Sequence, residues 1–267
     1  MNITIIGAGN IGLALADGIV RSGEAKPANI TLTRRNIQAL AGENKKGFKL
    51  STDNKEAIKN AAVIFICVLP QQLNECLQEI APVIDPKKQL LVSVVTGAFT
   101  DDIREQVGKS VRIIRAMPNT AMKAGQSMTC IAASNATQKD IQLVKKIFDA
   151  VGSTLLIKEE LMSAATALCA CGTAFFLRAI RAASQGGVEI GFHADEAIHI
   201  AAQTALGAAS LLLQSGRHPE AEIDRVTSPR GCTIAGLNEM EHQGFSSAMI
   251  KGIKLSADIA KNLYKAK

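Results

Sequence analysis

Short apolar runs alternate with longer amphipathic stretches through the first part of the chain. The runs Ile3–Ile6, Ile30–Thr33, Val63–Val68, Leu90–Val95, Val111–Ile114, Met128–Ala132 and Leu155–Ile157 have strand length and high aliphatic content. Between the earlier ones, apolar residues recur at helical spacing, as at Ile11, Leu15, Ile19 and Val20. Strands separated by helices imply right-handed crossovers, and therefore an α/β fold with a Rossmann-like, doubly wound, mainly parallel sheet. After about Lys158 the strand runs stop and Ala-rich segments follow, with breaks expected at Gly186-Gly187, Gly191, Ser215-Gly216 and Ser228-Pro229. Asp195 precedes an apolar-periodic run and marks a helix start. The expected division is an α/β domain over 1–158 and an all-helical domain over 159–267. No internal repeat or low-complexity linker is visible.

The first strand runs straight into Gly7-Ala-Gly9-Asn10-Ile11-Gly12 and then a helical pattern. In such a Gly-x-Gly-x-x-Gly turn the first glycine allows the tight turn and the second lets backbone approach a pyrophosphate. The third lets helix pack on strand. The phosphates would sit on the free N–H groups at the helix N-terminus. A packing turn could produce the glycines alone, but the strand before and the helix after are what a dinucleotide site requires.

The second strand bears on which dinucleotide. An NAD site usually ends this strand with an acid that accepts from the ribose 2′-hydroxyl. Here it ends Thr33-Arg34-Arg35. Two guanidiniums and a hydroxyl suit a 2′-phosphate, so NADP(H) is the expected cofactor, with NAD second and Arg34 the stronger candidate. One arginine could equally be a surface residue. Val68-Leu69-Pro70 and Ser93–Gly97 end the next strands and would line the same crevice, unless they are ordinary strand-to-loop turns.

Composition narrows the partners. The chain has 267 residues and a net charge of +6, with 47 % hydrophobic and 20 % charged residues, no Trp, one Tyr and eight Phe. That excludes a disordered chain and requires an aliphatic core. The basic residues are scattered, without aromatics for base stacking, so no nucleic-acid partner is expected. The C-terminal Lys251, Lys254, Lys261, Lys265 and Lys267 read as a solvated helix face. Six cysteines show neither disulfide-framework nor metal-site spacing and read as small buried hydrophobes; no metal is expected. The chain opens on a strand-like run without a leader pattern, so the expected compartment is the cytoplasm. The uncharged stretches Leu161–Leu177 and Ala197–Gly216 approach membrane-span length, yet their Ala, Ser, Thr and Gly content fits helices buried between subunits, with no membrane partner.

Three further segments are Arg115-Ala-Met117-Pro118-Asn119-Thr120, Cys169-Ala-Cys-Gly172-Thr173-Ala174, and Asp224 to Leu237, which contains Thr227-Ser228-Pro229-Arg230-Gly231-Cys232-Thr233. With the glycine turn, they resemble the pyrroline-5-carboxylate reductases over essentially the whole chain. The resemblance implies an NADP-binding domain followed by a helical substrate-binding domain that intertwines with its partner in a homodimer or higher oligomer. It implies NADPH-dependent reduction of 1-pyrroline-5-carboxylate, a cyclic imino acid, to L-proline. By resemblance, Ser228, Arg230, Gly231, Cys232 and Thr233 form the substrate loop, with Thr233 the catalytic residue beside the ring nitrogen. Met117, Pro118 and Asn119 would line the nicotinamide side.

The chain departs from that family at five places: Leu69 stands where Lys is usual, Ala121 follows Met-Pro-Asn-Thr where Pro is usual, and Ala170–Ala174, Arg230 and Cys232 also differ. Arg230 would be an added carboxylate clamp, an obstruction in the pocket or a solvent-facing side chain. Two alternatives follow: a reductase of a related cyclic imine or small carbonyl acid, and a dinucleotide-binding regulatory homologue without turnover.

Overall fold

In the computed structural model, which describes residues 1–264, every residue of strand β1 (Ile3–Ile6) is buried. The same holds for β4 (Val63–Ile66) and β5 (Leu90–Ser93). Such strands need cover on both faces, and helices supply it. From β4, Val63 and Phe65 point into a core with Leu15 and Ile19 of α1 (Asn10–Arg21) and Phe148 of α6 (Gln138–Asp149). The Phe65 and Phe148 rings meet edge to face at 6.1 Å. Ile64 and Ile66 point the other way, onto Leu73, Leu77 and Ile80 of α4 (Leu73–Ile80) and Ile103 of α5 (Thr100–Val107).

The sheet has eight strands in the order β3-β2-β1-β4-β5-β6-β7-β8. Strand β2 is Ile30–Thr33, β3 is Lys49–Ser51, β6 is Arg112–Met117, β7 is Ser127–Ser134 and β8 is Gly152–Leu156. All pairings are parallel except β6 with β7. Strand order reverses between β1 and β4, and the carboxyl ends there open the ligand crevice of such sheets. The short helices α2 (Ala41–Lys45) and α3 (Asn54–Ile58) flank β3 in sequence.

The mainly parallel, doubly wound sheet matches expectation, with two differences in detail. Strand β3 has no apolar run to announce it, being three residues long at the sheet edge. Strand β6 continues past Ile114 because Arg115, Ala116 and Met117 pair with Ala132, Ile131 and Cys130.

Beyond β8 the chain is helical. Helix α7 (Met162–Ala165) passes through a π-helical turn, Thr166–Cys171, into α8 (Gly172–Glu189). The break expected at Gly186-Gly187 does not occur. Gly187 instead lets α9 (Ala194–Ser215) approach, since a Cβ there would lie 3.1 Å from the Ala197 Cβ. The turn comes at Gly191, and Asp195 lies in the first turn of α9, as expected of a helix start. Helices α10 (Pro219–Arg225), α11 (Cys232–His242) and α12 (Phe245–Ala260) follow.

The chain divides into two compact units, Met1–Thr173 with the stretch from Lys254, and Ala174–Ile253. The first unit is thus discontinuous: Tyr264 is buried against its Gly97 and donates a hydrogen bond to Asn74 Oδ1. Lys251, Lys254 and Lys261 are exposed, as a solvated face requires, while Lys265 and Lys267 lie outside the described residues.

Two helical stretches, Glu159–Glu189 and Ala194–Ser215, are long and apolar enough by composition to cross a membrane. In the second, Ala197 is the buried residue, and Leu213 is 86 % exposed. Phe176, Ile190 and Leu206 are also exposed. An apolar surface of this extent calls for a covering partner.

Candidate cofactor cleft and substrate loop

A cleft of about 860 Å³ opens at the carboxyl ends of β1, β2 and β4. Gly7 sits at φ +88°, and a Cβ there would lie 2.7 Å from the Cys67 carbonyl oxygen, so the turn tolerates no side chain. A Cβ at Gly12 would lie 2.7 Å from the Gly7 carbonyl oxygen, whereas at Gly9 it would meet nothing within 4 Å. The open side at Gly9 is where a ligand's backbone-hugging group fits. Helix α1 begins there with Gly9 as N-cap, no side-chain cap and no acid in its first turn. Its leading N–H groups and positive dipole end remain available to a pyrophosphate, so this donor set fits a dinucleotide.

The expected residues Gly7, Gly9, Asn10, Ile11, Thr33, Arg34, Arg35, Val68 and Leu69 all line the cleft, while Gly12 serves packing behind it and Pro70 starts a 3-10 turn at its edge. The Thr33 hydroxyl donates to Asn54 Oδ1 at 2.6 Å, and Asn54 Nδ2 donates to Glu79 Oε2 at 2.7 Å. A hydroxyl has one proton to give, so Thr33 is committed and the guanidiniums are left as phosphate donors. Arg35 Nη2 pairs with Glu75 Oε2 at 2.6 Å, both side chains largely exposed. Arg34 Nη1 reaches the Ala8 carbonyl oxygen at 3.3 Å, which places its guanidinium over the glycine turn with most of its donors unspent. Asn54, Glu75 and Glu79 were not foreseen; they come from elements whose placement depends on the short strand β3 and on α4.

Arg34→Ala should weaken NADPH binding by about tenfold to a hundredfold, the loss of roughly 1.5–3 kcal/mol of charge-assisted contact. NADH binding should change little. Fluorescence titration with both cofactors checks this, and equal losses would remove the phosphate assignment.

Met117, Pro118 and Asn119 do not line the cleft. Met117 is buried against Ala132 and Met162. The Asn119 amide donates from Nδ2 to the Cys169 carbonyl oxygen at 3.0 Å and accepts from the Ala121 N–H at 3.0 Å. These side chains hold the end of β6 to the π-helical turn, and their expected place beside the nicotinamide stays a proposal. The next segment back is also structural: Arg115, 2 % exposed, pairs through Nη1 with Glu159 Oε1 at 3.3 Å and lies 5.2 Å from the Phe99 ring centre.

In the second unit, Ser228, Pro229, Arg230 and Gly231 form a turn closed by the Gly231 N–H on the Ser228 carbonyl oxygen at 2.9 Å. Gly231 is the N-cap of α11, which has no side-chain cap and no acid in its first turn. The N–H groups of Cys232, Thr233 and Ile234 therefore lead the helix without intrahelical acceptors, a donor set suited to a carboxylate. Thr233 lies one position inside the helix and is not its cap. Ser228, Arg230 and Cys232 are exposed, and Thr233 is half-buried. Cys232 thus departs from the reading of the cysteines as buried hydrophobes. Cys76, Cys130 and Cys169 fit it, while Cys67 is half-buried at the cleft; burial pushes the Cys67 and Cys76 thiols up to about 12 and keeps them protonated.

Residues 159–263 match the family described as pyrroline-5-carboxylate reductase dimerisation, and residues 2–97 match NADP oxidoreductase coenzyme F420-dependent. The chain is 49 % identical over 277 residues to pyrroline-5-carboxylate reductase 1 of Dictyostelium discoideum, covering 99 % of this chain and 50 % of that protein. It therefore spans half the length of that relative. It is 47 % identical to pyrroline-5-carboxylate reductase 2 of the same organism, covering 96 % of this chain and 91 % of the other. The chain belongs to the pyrroline-5-carboxylate reductase family. Its fold is shared with the Plasmodium falciparum pyrroline carboxylate reductase solved with NADP bound, at 24 % identity and a TM-score of 0.88, covering 99 % of this chain and 98 % of that one. The dimerisation-family match begins at residue 159, whereas the compact units divide at 173/174 and return the stretch from Lys254 to the first unit.

Against the family pattern, Arg230 stands where glycine is usual, and its φ of +58° shows what glycine did there. A left-handed backbone costs a residue with a Cβ about 1–2 kcal/mol. Arg230→Gly should raise unfolding stability by about 1 kcal/mol in a thermal or urea melt. If Arg230 also clamps the substrate, the same variant should show a raised KM; an unchanged KM leaves it a solvent-facing side chain.

Proposed function

We propose that this chain catalyses NADPH-dependent reduction of 1-pyrroline-5-carboxylate to L-proline. Family membership along nearly the whole of a reductase of similar length carries this reading, and two uncapped helix N-termini support it. The first, on α1, holds the pyrophosphate, with Arg34 on the 2′-phosphate. The second, on α11, receives the imino-acid carboxylate with Ser228. The cofactor supplies the hydride.

The work left to the protein is modest, because a cyclic imine is its own electrophile once nitrogen is protonated. Positioning and one hydrogen-bonding group at nitrogen suffice, without a strong base. Thr233 is that group: its hydroxyl donates to an imine or accepts from an iminium, and the proton comes from solvent. Following NADPH absorbance with and without pyrroline-5-carboxylate tests the reading. Rapid oxidation only with the imine supports it. Oxidation with another imine or keto acid alone points to a related reductase, and binding without oxidation to a regulatory homologue.

The exposed apolar faces of α8 and α9 are covered, in this reading, by a second copy of the chain in a cytoplasmic homodimer. Analytical ultracentrifugation at micromolar concentration should show a dimer and no active monomer.

A further inference from the structure

Two thiols that the reduction does not use face each other in the first unit. Cys130 lies on β7 and Cys169 in the π-helical turn, 39 residues apart, and their sulfur atoms are 3.5 Å apart. Both are packed among Ala165, Met128 and Ile157, yet each keeps a little surface, 5 % and 9 %. A disulfide needs a sulfur–sulfur distance of about 2.05 Å, so closing this pair asks for an approach of roughly 1.5 Å. Cys169 lies in a π-helical turn, a break in the regular i→i+4 hydrogen-bond register of the helix.

We propose that Cys130 and Cys169 form an oxidisable dithiol, a modification site that closes to a disulfide with hydrogen peroxide and slows the enzyme reversibly. Cys130 sulfur attacks one peroxide oxygen, the O–O bond breaks, and water leaves a sulfenic acid on Cys130. Cys169 sulfur then attacks the Cys130 sulfur, the S–O bond breaks, and a second water leaves. Two thiols are oxidised and one peroxide is reduced to two waters.

The roles follow from the hydrogen bond between them. Either sulfur can donate in this bond, which favours a thiolate on one of the pair with the proton held on the other, Cys130 being pulled down against the opposing effect of burial and Cys169 pushed up. A thiolate, the reactive species, is thereby favoured on Cys130. Peroxide is little larger than water, which suits so small an opening.

The consequence for turnover runs through the Cys169 carbonyl oxygen, which accepts from Asn119 Nδ2 at 3.0 Å and from the Thr173 hydroxyl at 3.3 Å. Drawing Cys169 towards β7 disturbs both, and with them the end of β6 and the start of α8. This part of the inference rests on the proposed reductase activity; disulfide formation itself does not.

The test treats the whole protein with hydrogen peroxide, blocks remaining thiols with iodoacetamide and maps the peptides by mass spectrometry. Two of the six thiols should be lost as a Cys130–Cys169 crosslink. Turnover efficiency with pyrroline-5-carboxylate should fall about tenfold or more, a 1 Å misplacement near a reacting centre being worth up to about a hundredfold. NADP affinity should stay within about twofold, and dithiothreitol should restore activity. Cys169→Ser should abolish both crosslink and sensitivity; Cys130→Ala serves if that variant does not fold. Oxidation confined to the exposed Cys232, a crosslink without loss of turnover, or sensitivity persisting in Cys169→Ser would each overturn the proposal. Crosslink mapping needs no turnover, so a failure of the reductase reading would be seen separately.

Discussion

Glu159→Ala should destabilise the fold by about 3–5 kcal/mol, the usual consequence of stripping one partner from a buried ion pair. Arg115 is 3 % exposed by its side chain and Glu159 25 %. Burial pulls the Arg115 pKa down, and the neighbouring Glu159 carboxylate is the main influence holding it up. Glu159 does more than balance charge: its Oε1 also accepts from the Thr100 N–H at 2.7 Å, and its Oε2 accepts from the Thr100 hydroxyl. Alanine would leave a buried guanidinium and the first amide of α5 unpaired together. Arg115 Nε already lacks a hydrogen-bond partner, so the guanidinium has little local reserve. Urea melts at fixed protein concentration measure the loss. The double variant Arg115→Met with Glu159→Leu should recover most of it, because two apolar side chains leave no charge to compensate. A single-variant loss under about 1 kcal/mol would show that water reaches Arg115 and that the pair is effectively a surface one.

Arg115 also shows where the sequence was hard to read. It interrupts the apolar pattern of β6, so the strand reads as ending at Ile114, when its partner Glu159 lies 44 residues downstream. The strands buried on both faces, β1, β4 and β5, announced themselves through unbroken aliphatic runs. Strand β3 did not, because an edge strand of three residues needs little apolar content. The π-helical turn leaves no side-chain pattern, since it is a change of backbone hydrogen-bond register. Gly187 misled in the other direction: a glycine required by helix packing looks in sequence like one required by a turn. The cofactor cleft was legible where the backbone itself demands a residue type, as at Gly7, and where charge accumulates, as at Arg34. It was illegible at Asn54 and Glu79, which act only once α3 has brought Asn54 to Thr33 and α4 has brought Glu79 to Asn54. Met117–Asn119 has a motif's appearance, and its contacts also anchor the end of β6 to the π-helical turn.

Thr233→Ala should lower turnover efficiency by about tenfold to several hundredfold, the loss expected for one hydrogen bond at the reacting nitrogen. Were Thr233 instead the cap of α11, its replacement would cost about 1 kcal/mol of stability and spare the kinetics. The structure assigns the cap position to Gly231 and puts Thr233 inside the first turn, where alanine is the better helix former. The melting temperature should therefore hold steady or rise slightly while the rate falls. NADPH affinity should be unchanged, because the groups proposed to hold the cofactor's phosphates are at the start of α1 and just past the end of β2. Ser228→Ala, at the head of the same loop, should behave differently. A carboxylate contact is made equally in ground and transition states, so its loss raises KM and leaves kcat nearly intact. Steady-state kinetics and thermal melts on the two variants separate these roles. Normal turnover in Thr233→Ala would take the hydroxyl out of the mechanism, and the N–H groups leading α11 would then be left to orient the imine through its carboxylate alone.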